Sequence, residues 1–173
     1  VGENFRDHFA VRLITRMHGI ETINERARGL PWIREVIRYG VGRRGALALT
    51  PTLVYCFWKS DPSLENGDIQ VTFTPASYPG GVQSGLDRFP GATVACWQQR
   101  PESAGHVHAV SSDPFVRPEI QGNYLAEEGD RRTLLAAMRL GRKILATDPF
   151  SAYVAEEIWP GSDRINDTDL LAH

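Results

Sequence analysis

The sequence has little of what would narrow its chemistry at once: two cysteines, two methionines, no excess of one charge and no apolar run near the roughly 20 residues of a membrane helix. Cys56 and Cys96 lack C-x-x-C spacing and lie among β-branched and aromatic residues, which predicts two small buried thiols, not a disulfide or a metal pair. A formal charge of -2 offers no electrostatic attraction to nucleic acid or to an anionic membrane. Val1-Gly2-Glu3 lacks the basic and apolar regions of a secretory signal, so the expectation is a cytoplasmic protein with no nucleic-acid partner and no membrane segment. Gly40 and Gly42 form a Gly-x-Gly, but no strand precedes them, which excludes a dinucleotide fingerprint.

What is present reads as one α+β domain. A chain of 173 residues is long enough to bury roughly 70% of the surface its unfolded form exposes. Alternation from Val11 to Thr15 predicts a strand, and Pro31 with Ile33, Val36 and Ile37 predicts a short amphipathic helix that ends at the glycines near Arg43 and Arg44. Further strands are expected at Leu53 to Trp58, Ile69 to Phe73, Thr93 to Gln98 and His106 to Val110, separated by turn residues such as Asn66-Gly67 and Pro79-Gly80-Gly81. After Asn123-Tyr124-Leu125 the period becomes helical: Asp130 is placed to cap, Leu134, Met138 and Leu145 share a face, and Asp148-Pro149 stops the run. The pattern predicts one antiparallel sheet with helices packed against it. Asp167 or Thr168 is placed to cap a last helix whose apolar face starts at Leu170 and Leu171.

Candidate functional residues are few. Asn4, Asp7 and His8 stand in a turn before the first long strand, where an imidazole can be aimed into a cavity and where the two polar neighbours can equally serve the turn backbone. Tyr55, Phe57 and Trp58, with Phe73, Tyr78 and Trp97, make either core or an aromatic wall. His106 and His108 point to one face of a strand, but no third ligand is evident, so no metal is expected. The arginines between Arg26 and Arg44 read as a solvated helix face without a ligand.

Two segments carry a resemblance. Gly2-Glu3-Asn4-Phe5-Arg6-Asp7-His8 resembles the G-x-N-L-x-D-H segment of the glucose-methanol-choline (GMC) family of flavin-dependent alcohol oxidoreductases. Ser111 to Leu125 resembles that family's S-x-D-P-x-x-x-P-x-I-x-x-N-Y-L stretch, and Gly45 to Thr50 and Asp68-Ile69-Gln70 look like weaker family segments in the same order. Phe5 stands where the family favours Leu, Arg6 where Gln is common, and Gly122 is a further departure.

The resemblance implies the substrate-binding domain of a longer flavoprotein. Its FAD domain, with a G-x-G-x-x-G loop, is then expected upstream of Val1, and the H-P-x-G segment with the catalytic histidine beyond His173. The lack of an initiator Met and the end at Leu170-Leu171-Ala172-His173 fit that expectation. The resemblance further implies His8 as a donor in the site wall, Tyr55, Phe57 and Tyr78 as substrate-binding residues, and Asn4 as a cofactor contact. FAD is the implied cofactor, an alcohol the implied substrate, and the missing FAD domain the packing partner; the segment alone is expected to be inactive. Choline-oxidising members can carry Glu two residues after that histidine, whereas Ala10 stands here, which argues against choline. Two readings from other classes stay open: a stand-alone α+β module for a small ligand or a protein, and a noncatalytic subunit that completes a flavoprotein in trans.

Overall fold

Period-2 alternation builds the larger of two antiparallel sheets. The strands are β1 (Glu3–Phe5), β2 (Val11–Met17), β3 (Val54–Trp58), β4 (Ile69–Thr74), β5 (Gly91–Gln98), β6 (Gly105–His108), β7 (Glu119–Gln121) and β8 (Val154–Trp159); helices α1 (Ile23–Arg26) and α2 (Gly29–Gly42) follow β2, α3 (Glu128–Leu145) follows β7 and α4 (Asp167–Leu171) follows β8. The computed structural model describes residues 1–50, 52–80 and 84–172, so Gly81 of the expected Pro79-Gly80-Gly81 turn lies outside the described residues. Five strands pair in the order β3-β4-β5-β2-β8, and three in the order β1-β6-β7. The α+β class and the antiparallel pairing are as expected. The single sheet is not: β6 joins β1 and β7 instead of extending the larger sheet.

Register assigns the faces of the larger sheet. Leu13 pairs with Val94 and Phe73 with Val94, while Val11, Cys96, Val71 and Cys56 line up in the next row, so these side chains share one face. Helix α3 covers that face with Leu134, Ala137, Met138 and Leu145, all at most 6% exposed. Gly141 permits the closest approach, because a Cβ there would meet Leu13 Cδ1 at 2.6 Å and Val94 Cγ1 at 3.2 Å. Cys56 and Cys96 are both free thiols on strands separated by β4. Two strand spacings of about 5 Å each hold their backbones too far apart for a disulfide.

Two helix expectations change. Asp130 lies inside the first turn of α3 and does not cap it; its buried carboxylate accepts from the N–H groups of Glu102 and Ser103, at 2.8 Å each, and so fastens the β5–β6 connection to the helix. Asn166, not Asp167 or Thr168, caps α4 by accepting from Asp169 N–H. Helix α2 forms as the periodicity predicts, yet its apolar side faces outward: Leu30 is 80%, Ile37 60% and Val41 87% exposed. The polar Glu35 is the buried one, accepting from Ala46 N–H and Arg38 to fix the turn that follows. Among the described residues, no helix is long and apolar enough to cross a membrane.

Candidate functional site

The segment from Asn4 to Ala10 runs from the small sheet into the large one. Asn4 sits at the irregularity in the β1–β6 pairing with φ 61°, a left-handed conformation that Asn tolerates better than most residues, and its side chain is exposed. Asp7 then joins the two segments singled out in the sequence. Its Oδ1 accepts from His8 N–H at 2.8 Å and its Oδ2 from the Tyr124 hydroxyl at 2.7 Å, while Phe9 packs on the Tyr124 ring at 5.6 Å. The Tyr124 hydroxyl, and after it the His8 N–H, hold the Asp7 carboxyl below its usual range; the same bond pushes the Tyr124 phenol up. Gly122, a departure from the family pattern, has a packing reason: a Cβ there would lie 2.4 Å from the Tyr124 ring.

His8 is oriented by this turn and by β5. Its Nε2 lies 2.9 Å from the Gln99 carbonyl oxygen, and its ring centre is 6.3 Å from that of Trp97. A carbonyl oxygen only accepts, so Nε2 carries a proton and Nδ1 is the nitrogen left to meet a ligand. The Nε2 proton is thus committed to Gln99, and any donor role toward a ligand falls to Nδ1. Gln99 in turn donates from its side chain to Gln70.

Beyond His8 lies the face of the large sheet that α3 does not cover. Trp97, Gln70 and Phe57 form one row of register partners, and Arg12, Ala95, Thr72 and Tyr55 the next. Tyr55 and Phe57 are 58% and 61% exposed. The expected aromatic wall therefore divides. Tyr55, Phe57 and Trp97 stand on the open face, whereas Trp58 and Phe73 belong to the α3 side, where Phe73 meets Phe150 edge-on at 5.2 Å.

Two hollows flank the turn. Arg6, His8, Gln99 and Arg100 border an open cleft of about 470 Å³. Ala10, Arg12, Ile14, Trp159 and Pro79 border another of about 440 Å³. Tyr78 is half-buried on the loop after β4, between Pro79 and the buried Ser77. Ser77 is held by Asn24, whose amide also donates to the Asp87 carbonyl. The structure thus puts Tyr55 and Phe57 on one face with Trp97, the ring that lies beside His8, sets Tyr78 on the loop next to Pro79 of the second hollow, and keeps Asn4 apart on β1.

Sequence reasoning missed Gln99, which aims His8 through its backbone, and Asn24, which no local signal distinguishes from a turn residue. It also missed Glu119, which strand pairing sets beside His106 and His108. Arginines of the α1–α2 region meet Glu21, Glu35 and the Leu86 carbonyl.

With this geometry in view, the comparisons with known proteins are consistent. The GMC oxidoreductase family model matches residues 101–172. The chain is 32% identical over 188 residues to the chloroplastic fatty acid photodecarboxylase of Chlamydomonas reinhardtii, covering 98% of this chain and 31% of that protein. It is 31% identical over 177 residues to the oxygen-dependent choline dehydrogenase of Photobacterium profundum, covering 99% of this chain and 30% of that protein. The solved structure of formate oxidase superposes with a TM-score of 0.83 at 19% identity, over 99% of this chain and 35% of that one. The chain therefore spans about a third of the length of the proteins it matches. The order of motifs, the fold and the full-length coverage of this chain agree: it belongs to the GMC oxidoreductase family.

Proposed function

We propose that this chain is the substrate-side part of an FAD-dependent oxidoreductase acting on an uncharged primary or secondary alcohol. The observation that carries the reading is the face of the large sheet turned away from α3, where exposed Phe57 shares a register row with Trp97, exposed Tyr55 stands in the next row, and the family-type His8 lies beside Trp97. Exposed aromatic rings with one imidazole beside them fit the role of roof over a flavin ring and a small alcohol. No glycine-rich strand-turn-helix occurs in the sequence, so the pyrophosphate of FAD is held by another part of the protein. Asn4, exposed in its left-handed turn, is the residue of this chain assigned to the cofactor. A solved formate oxidase structure of the same fold concerns the effect of a mutation on FAD modification.

FAD, when bound, accepts the hydride that leaves the alcohol carbon. The residues here bind and orient. His8 stands beside the substrate hydroxyl and orients it, Gln99 fixes the ring, and Tyr55, Phe57 and Tyr78 exclude water from the reacting carbon. A histidine outside this chain serves as the base. Ala10, at the rim of the second hollow, offers no carboxylate to a quaternary ammonium group, which supports an uncharged substrate. The outward apolar side of α2, with Leu30, Ile37 and Val41, packs against the FAD domain.

The test is to express the full-length protein and follow its flavin absorbance anaerobically, in the dark, as alcohols are added. Bleaching by primary or secondary alcohols, with choline the poorer substrate, is expected. A second reading rests on the 32% identity to a photodecarboxylase. Flavin that stays oxidised with every alcohol, but turns over a fatty acid under light, would assign that chemistry instead.

A further inference from the structure

Strand β6 carries His106 and His108 two residues apart, so both imidazoles leave the sheet on one face, and their rings stack at 4.2 Å between centres and 17° from parallel. Each flanking strand adds a carboxylate to the same face. On β7, Glu119 is the register partner of His108, and its Oε2 lies 3.9 Å from His106 Nε2. On β1, Glu3 is the register partner of His106, and its Oε1 lies 2.7 Å from His108 Nε2. One ligand atom from each of His106, His108 and Glu119 falls within 4.8 Å of the other two.

We propose that His106, His108 and Glu119 bind a divalent transition-metal ion of the zinc class, with Glu3 as the fourth ligand. The donor set decides the class: imidazole nitrogens suit zinc, nickel and cobalt, whereas magnesium and calcium take oxygen ligands. Tetrahedral zinc with bonds of about 2.0–2.2 Å sets its ligand atoms about 3.4 Å apart, so His106, His108 and Glu119 close by up to about 1.4 Å on binding, and Glu3 swings in from its contact with His108. Side-chain rotation supplies that movement. His106 and His108 are 28% and 36% exposed at the side chain and Glu119 is 60% exposed, while the strand ladder fixes the backbone beneath them. Two carboxylates against a dication leave the loaded site neutral. The site lies on the small sheet and stands independently of the flavin reading.

The experiment is a calorimetric Zn²⁺ titration of the chelator-treated full-length protein, wild type against His106→Ala, His108→Ala and Glu119→Gln. One saturable site is expected in the wild type, weakened at least about tenfold by either histidine substitution and several-fold by Glu119→Gln. Co²⁺ in place of Zn²⁺ should give visible tetrahedral absorption bands that His106→Ala abolishes. His106→Gln, which keeps size and polarity, serves if the alanine variant folds poorly. A wild type without a saturable site, or equal affinity in the histidine variants, overturns the proposal and leaves two His–Glu pairs with no metal role.

Discussion

Asp130 shows how a residue that reads as a helix cap can hold the molecule together elsewhere. Burial by itself raises its carboxyl pKa, but bonds from the Ser103 hydroxyl, the Glu102 and Ser103 N–H groups and Gln98 outweigh it and leave the net value lowered. A group whose folded pKa is depressed contributes stability that is present above its unfolded value, about 3.9, and is lost as pH falls through the folded value. Asp130→Ala leaves two N–H groups without their acceptor and should lower unfolding stability by about 3 kcal/mol at neutral pH. Denaturant melts from pH 7 downward should show the gap between wild type and variant narrowing in acid; a constant gap would remove the charge from the account. Cys96 offers a second residue-scale check. Burial pushes its thiol up to about 12, so alkylating reagents at pH 8 should leave it unmodified in the native protein and label it only after unfolding. Mass spectrometry that finds Cys96 modified as fast as a free thiol would contradict its place in the core.

Helix α3 and the large sheet make the element-scale case. Alanine is ordinarily the better helix former by about 1 kcal/mol, yet at Gly141 its methyl would press on Leu13, Val94 and Cys96 together. Overpacking of that kind costs about 1–3 kcal/mol, so Gly141→Ala should lower the melting temperature, and an unchanged or higher one would show that α3 stands farther from the sheet. The strands themselves were legible because alternation is local: Val71, Phe73 and Val94 announce their period within a few residues. Partition into two sheets was not, because β6 pairs with β1, about a hundred residues away in sequence, and no local signal encodes that choice. The outward apolar side of α2 was half legible; periodicity shows an apolar stripe but not what covers it. For the site, His8 was visible through its motif, while the Gln99 carbonyl that aims it is a backbone group any residue could supply.

At the scale of the whole molecule, α3 covers one face of the large sheet while Tyr55 and Phe57 stay exposed on the other, with His8 where the two sheets meet. That asymmetry is what the flavoenzyme reading uses. The 173-residue segment purified alone is expected to be colourless and to retain no FAD after added cofactor is removed by gel filtration, since it lacks a pyrophosphate loop. Retained, stoichiometric flavin absorbance would show a complete cofactor site within these residues. The apolar sides of α2 and β3 should also make the isolated segment associate, and light scattering should find oligomers that the full-length protein does not form.

The most direct measurement is the rate of flavin reduction by a saturating alcohol, followed anaerobically by stopped flow in the full-length protein and in its His8→Ala form. If His8 orients the hydroxyl on the open face, the substitution should slow reduction by at least about tenfold with flavin content unchanged. Equal rates in the two proteins would remove His8 from the site and, with it, the assignment of this face to the substrate.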